Sequence, residues 1–348
     1  MQVSENVTAV VTVFYFTLQN LLLDASVYAE IIMSGLIKGS NYDPIAQQTK
    51  LGWILSGNVK TFNCHVVIKN LPDIEKYWEM EDVRNNPPPK FNVEEQYCED
   101  FYVSTTTRLQ DGRYEVAIPM KPNYSEKLGV SKTKAIAQFK QLERKMSTNH
   151  TYLASYSLFI NEYRQLGHMR QVNNGEQGTC YLPHHGVLKQ DSTTTKLRVV
   201  FNASAKTNSG QSLNDLMERG PNLQQDLQSL ILRWRQYKYV ITADIEKMFR
   251  QIMVRECDQH LQAIVWRDSP NEAIKEYFLT TVTYGTKAAP FLAIRTLRQL
   301  GKDDAKKFPL AAKALEKHFY MDDLLSGENI IAETKELQYQ LIEILKGA

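Results

Sequence analysis

The chain has 348 residues, of which 43% are hydrophobic and 23% charged, enough for one large or two modest globular domains and too apolar for a disordered polymer. With 41 Lys and Arg against 39 Asp and Glu the net charge is +2, so any nucleic-acid contact must rest on a local basic surface rather than on overall charge, which by itself decides nothing about function. Four cysteines, Cys64, Cys98, Cys180 and Cys257, form no CxxC pair and have no histidine at ligand spacing. That argues against structural zinc and against a disulfide framework.

In chain order, the first apolar run is VTAVVTVFYFTLQNLLL. No basic segment precedes it, and Thr12, Thr17, Gln19 and Asn20 interrupt it, so it reads as a pair of β-strands and no membrane segment is expected. Pro87, Pro88 and Pro89 then form a run that forbids helix and favours an extended spacer, which marks a domain boundary. From Ser131, SKTKAIAQFKQLERKM places Ala135, Phe139, Leu142 and Met146 on one face, and the spacing predicts an amphipathic helix with a serine cap. NHTYLASYSLFINEYRQLGHM repeats the pattern and stops at Gly167. His184 and His185 follow Pro183 and read as a surface loop.

After Pro221, NLQQDLQSLILRWRQ sets Leu223, Leu227, Leu230, Ile231 and Trp234 at helical spacing. YKYVITADI then predicts a buried strand that ends on Asp244. Nearer the end, FYMDDLLSG reads as two short strands around a tight acidic turn carrying Asp322 and Asp323. AETKELQYQLIEILKG is amphipathic again, with Leu337, Leu341, Ile344 and Leu345 inward and Gly347 as the candidate C-cap.

A double aspartate in a turn is by itself an ordinary solvated loop tip, and an aspartate after a strand an ordinary helix cap. Carboxylates at two neighbouring strand ends are also what two Mg²⁺ ions need, because hard cations take oxygen ligands from rigid supports. The surrounding residues favour the second reading. Tyr320-Met321-Asp322-Asp323 resembles the Tyr-x-Asp-Asp box of reverse transcriptases, and DIEKMFRQI from Asp244 resembles their first palm motif, an Asp with an aromatic five positions later. VTYGTKAAPFLAIRTL resembles the Gly-to-Pro loop that opens the palm helix, with Gly285 and Pro290 matching and Ala289 standing where the family usually has Ser. GVLKQDSTTTKLRVVFNASAKTNSGQSLNDLM resembles the fingers segment, with Lys196 and Arg198 at the basic positions.

The wording GRYEVAIPMKP, LGHMRQV, TKLRVVFNAS and LNDLMERGPNL is similar to the Pol polyprotein of BEL/Pao long-terminal-repeat retrotransposons. Upstream, LLLDASVYAEIIMSG and PIAQQTKLGWILSG resemble the tail of a retropepsin-like aspartic peptidase, with Asp24-Ala25-Ser26 where that family carries Gly-Ala-Asp and with no Asp-Thr/Ser-Gly loop. The resemblance implies an α+β fold: a peptidase remnant over 1–70, a Pro-containing linker over 71–94, and the fingers and palm of a right-hand polymerase over 95–348, with thumb and RNase H absent. It implies RNA-directed DNA polymerase activity with two Mg²⁺, or Mn²⁺ in their place, held by Asp244, Asp322 and Asp323. dNTPs and an RNA or DNA template-primer are the implied partners, and no peptidase activity is implied. Lys196 and Arg198 would meet the triphosphate, while Phe249, Gln251, Tyr320 and Met321 would line the nucleotide site and Phe249 would exclude a 2′-hydroxyl. The expected location is a cytoplasmic retrotransposon particle, with the nucleus as the other compartment, and no oligomeric state is implied. Two alternatives stay open: an RNA-dependent RNA polymerase, and a decayed or domesticated fragment that binds nucleic acid or a partner without turnover.

Overall fold

The computed structural model describes residues 30–38, 45–50, 52–56, 91–188 and 197–348. The chain divides into two compact units, 1–86 and 87–348. The expectations for residues 7–23, for Asp24, for the proline run and for Lys196 lie outside the described residues. Within the first unit, β1 (Ile32–Lys38), β2 (Ile45–Thr49) and β3 (Gly52–Ser56) make an antiparallel meander in that order. The Gln47 side chain ties β2 to β1, donating from Nε2 to the Met33 and Gly35 carbonyls at 2.6 and 3.1 Å.

The second unit begins with α1 (Val93–Thr105). Its start is a capping box written in the sequence as N-x-x-E: Asn92 Oδ1 accepts from the Glu95 amide at 2.8 Å and Glu95 returns a carboxylate to the Asn92 amide at 3.0 Å. The short pair β4 (Thr107–Arg108) and β5 (Tyr114–Val116) and a single helical turn, α2 (Tyr124–Lys127), lead into α3 (Lys132–Ser147) and α4 (His150–Gln165). In α3 the buried residues are Ala135, Phe139, Leu142 and Met146, the four that the periodicity picks out. Its expected serine cap is not made. Ser131 Oγ instead accepts the Tyr181 amide at 2.7 Å. At the far end of α4, Gly167 takes φ +68° and ends the run.

Next come β6 (Met169–Gln171), the hairpin β7 (His184–Leu188) and β8 (Leu197–Phe201), then α5 (Leu227–Trp234). α5 starts later than its hydrophobic spacing suggests, because the Asp226 carboxylate caps it through the Ser229 amide at 2.7 Å. Leu223 is buried ahead of the helix, and only Leu230 of the helix itself is buried. β9 (Tyr239–Asp244) follows, then β10 (Met253–Val254), which pairs in parallel with β5. β11 (Ala263–Trp266) is buried along its whole length beside β12 (Lys275–Leu279), whose other edge takes β6. The chain closes with α6 (Ala289–Asp303), α7 (Pro309–Lys317), the hairpin β13 (Phe319–Tyr320) and β14 (Asp323–Glu328), and α8 (Ile331–Lys346). Gly347 occupies the C-cap of α8, at φ −88° rather than in the left-handed region.

The outcome is an α+β fold whose core runs from α3 and α4 through β8 and β11 to α6, α7 and α8. Two expectations are corrected. His184 is no surface residue: its Nδ1 lies 2.5 Å from the Tyr156 hydroxyl and its Nε2 3.0 Å from the Val265 carbonyl, inside a cluster of Phe139, Tyr156, Phe201 and Trp266 rings. Alternation along β7 turns His184 inward and leaves His185 exposed. β9, expected to be buried, is largely exposed; it lies at one edge of the sheet β13-β14-β9, with β14 as its partner.

Candidate active site

The sheet β13-β14-β9 brings the acids together. β14 pairs antiparallel with β9 in a register that sets Asp323 opposite Asp244, and directly opposed residues point to the same face. Tyr320 pairs with Asp323, so Met321 and Asp322 are the two residues of the turn. A two-residue hairpin turn needs positive φ, and Met321 supplies it at +56° although it is not glycine. The turn is then tied to the end of β9, because the Ile245 amide donates to the Asp322 carbonyl at 3.0 Å.

Three carboxylates thus crowd one corner. The Asp244 carboxyl titrates above its ordinary range, first because it is partly desolvated and then because Asp322, Asp323 and Glu246 repel its charged form. Among the described residues no cation pairs with Asp244, Asp322 or Asp323. Glu246 is the exception in this corner: Lys247 Nζ lies 2.8 Å from its Oε1 and holds its carboxyl below the usual range. No three acidic, His or Cys side chains among the described residues converge to metal-ligand distance. The donors have the type and charge that suit hard divalent cations.

Of the other anticipated residues, Phe249 lies half-buried in the short 3-10 turn Met248–Gln251 and packs on the core. Gln251 spends its Nε2 on the Glu246 carbonyl at 3.0 Å, bracing the loop after Asp244. Tyr320 and Met321 are both half-buried. Gly285 has φ +94°, and a Cβ there would meet the Phe201 carbonyl oxygen at 2.7 Å, so this loop requires glycine. Pro290 sits in the first turn of α6, where its missing N–H costs no helix bond. Arg198 is exposed on β8, where it pairs with Val187 through the backbone, and its side chain has no hydrogen-bond or ion-pair partner among the described residues.

Sequence reasoning missed two supports, one of the glycine loop and one of the acidic hairpin. Asn214 braces the glycine loop, donating to Gly285 O at 3.0 Å and accepting the Lys287 amide at 2.8 Å, and its other N–H donates to Ser204 Oγ at 2.9 Å. The only hint was a polar residue in LNDLM, between Leu213 and Leu216, both of which are buried. Behind the acidic hairpin, buried His318 places Nδ1 2.6 Å from buried Ser326 Oγ and accepts the Leu325 amide at 2.9 Å.

Residues 188–347 match the family model described as reverse transcriptase (RNA-dependent DNA polymerase). No curated protein sequence matches the chain. Among solved structures, a foamy viral protease-reverse transcriptase in complex with double-stranded DNA is similar at 19% identity and TM-score 0.42, over 55% of this chain and 29% of that one. The prototype foamy virus protease-reverse transcriptase CSH mutant is similar at 20% identity and TM-score 0.41, over 57% and 22%. The chain therefore spans less than a third of the length of these foamy virus proteins.

Proposed function

We propose that the stretch matching the reverse transcriptase family carries out RNA-directed DNA synthesis, joining a deoxynucleotide from a dNTP to a primer 3′-hydroxyl on an RNA or DNA template. The observation that carries this reading is the β9–β14 register, which sets Asp244 against Asp323 with Asp322 on the adjoining turn. Asp244, Asp322 and Asp323 are the residues that would hold Mg²⁺, or Mn²⁺ in its place. Such ions supply activation of the attacking hydroxyl and neutralisation of the leaving pyrophosphate. The partial desolvation and the neighbouring carboxylates that together raise the Asp244 carboxyl suit that role, because a cation would favour its charged form.

The remaining work falls to the chain itself. The exposed Arg198 side chain on β8, with no ion-pair partner among the described residues, would fork onto the phosphates of the dNTP, and Lys196 would join it as a point charge. The Gly285–Pro290 loop, fixed by Asn214, would carry the template base at the start of α6. Phe249 would stand where a 2′-hydroxyl would have to go. The resemblances quoted above favour a BEL/Pao-type retrotransposon Pol, with 1–70 as a peptidase tail and 95–348 as fingers and palm, acting in a cytoplasmic particle.

Nucleotide choice tests the reading. Replacing Phe249 by Ala removes the ring and should raise the rNTP/dNTP incorporation ratio by about tenfold or more. An unchanged ratio contradicts this role for Phe249, and equal use of both sugars by the unaltered protein favours an RNA polymerase.

A further inference from the structure

Between Asp244 and Phe249 the chain turns sharply, with Lys247 in the left-handed region at φ +56°. A residue with a Cβ stays there only where its surroundings hold it. The hold comes from a distant element. Glu162, half-buried on α4, places Oε1 3.2 Å from Lys247 Nζ and 3.3 Å from Arg250 Nη1. Both cations belong to one tight turn, since the Arg250 amide donates to the Lys247 carbonyl at 2.7 Å. The Arg250 guanidinium also lies over the ring of Tyr163, 5.1 Å from its centroid.

The helix that presents Glu162 is well anchored. Tyr152, Tyr156, Ile160 and Tyr163 of α4 are buried, and Asn149 caps its first turn. Glu246 also touches Lys247, but it belongs to the same loop and cannot tie that loop to anything else. Glu162 is the one carboxylate among the described residues that pairs with Arg250. His168, buried beside the two cations with neither ring nitrogen bonded, accepts nothing from them.

We propose that Glu162 is a positioning residue for nucleotide selection: by gripping Lys247 and Arg250 it locks the turn that sets Phe249 at the sugar and Asp244 at the end of β9. The inference rests on the polymerase reading for its consequence, though not for its geometry. Removing the charge leaves Arg250 without a carboxylate partner among the described residues and Lys247 held only by Glu246 of its own loop, so the left-handed lysine loses its tether to α4. The loop then samples other conformations, and a wall displaced by about an ångström discriminates poorly.

The test pairs two measurements on the full chain. Glu162→Gln keeps the shape and removes the charge; Glu162→Asp keeps the charge. Hydrogen exchange should quicken at the amides of Ile245, Arg250 and Ile252 in Glu162→Gln and much less in Glu162→Asp. Single-nucleotide primer extension should show the Gln variant with kcat reduced more than KM is raised and with the rNTP/dNTP ratio increased by about tenfold, both largely restored in the Asp variant. Unchanged exchange overturns the grip. Faster exchange with an unchanged sugar ratio overturns the selecting role. Failure of the unaltered protein to extend any primer overturns the polymerase reading, while the exchange measurement still decides whether Glu162 holds the loop.

Discussion

Asp244 shows how a single residue can work against the fold that carries it. Its carboxyl titrates above the ordinary range in the folded chain, so the folded state binds that proton more tightly than the unfolded state. Folding stability from this group therefore falls as pH rises through the carboxylate range, and the loss is complete at neutral pH. Asp244→Asn should accordingly raise Tm at pH 7 while abolishing nucleotide incorporation, and the gain should vanish in acid, where both proteins are uncharged at this position. A lower Tm for the variant would contradict a carboxyl destabilised by partial burial and by its acidic neighbours. Gly285 makes the opposite case. With φ +94° and the Phe201 carbonyl 2.7 Å from any Cβ, Gly285→Ala should cost about 1–3 kcal/mol, read as a fall in the urea midpoint, and a neutral result would mean that the loop has room to shift.

At the scale of the element, what could be read beforehand depended on how directly burial follows from periodicity. α3 was legible to the residue, because a helix laid on a core must repeat its apolar side chains every three to four positions, and Ala135, Phe139, Leu142 and Met146 do so. The acidic hairpin was legible because two short strands around Met321–Asp322 leave little choice of turn. β9 was misjudged because an apolar strand at a sheet edge is not obliged to be covered, and Val240 is 48% exposed. Supports such as Asn214 and Glu162 act across 71 and 88 residues of sequence, and no local pattern announces them.

The same hairpin gives the fold a sensitivity to acid. His318 braces it from behind and, like His184 and His168, is pushed down to about 4 from an ordinary 6.5, chiefly by burial. All three stay neutral when folded and take up protons when unfolded. Stability should therefore fall as pH drops from about 6.5 towards about 4, with roughly three protons bound on unfolding near pH 5. Chemical denaturation across that interval measures the count. Replacing His318 by Gln should remove about one of the three, and a slope that does not change would show that His318 is not held neutral.

For the whole molecule, the match to the reverse transcriptase family covers residues 188–347 and so contains Asp244, Phe249, Gly285, Asp322 and Asp323 together. The preceding helices α3 and α4 supply the core on which β8 and β11 rest, and α4 also contributes the carboxylate that reaches into the 244–250 loop. With a net charge of +2, the chain has little general attraction for a polyanion. If the proposed polymerase reading holds, its grip on a primer-template would have to come from local contacts and would weaken steeply with salt. The most direct measurement is therefore primer extension at low salt on poly(rA)/oligo(dT) with dTTP and Mg²⁺ or Mn²⁺, run beside Asp322→Asn. The account predicts extension by the unaltered chain and none by a variant that still folds and still binds primer-template. Primer-template bound without any incorporation in either metal, or equal extension by Asp322→Asn, would contradict it.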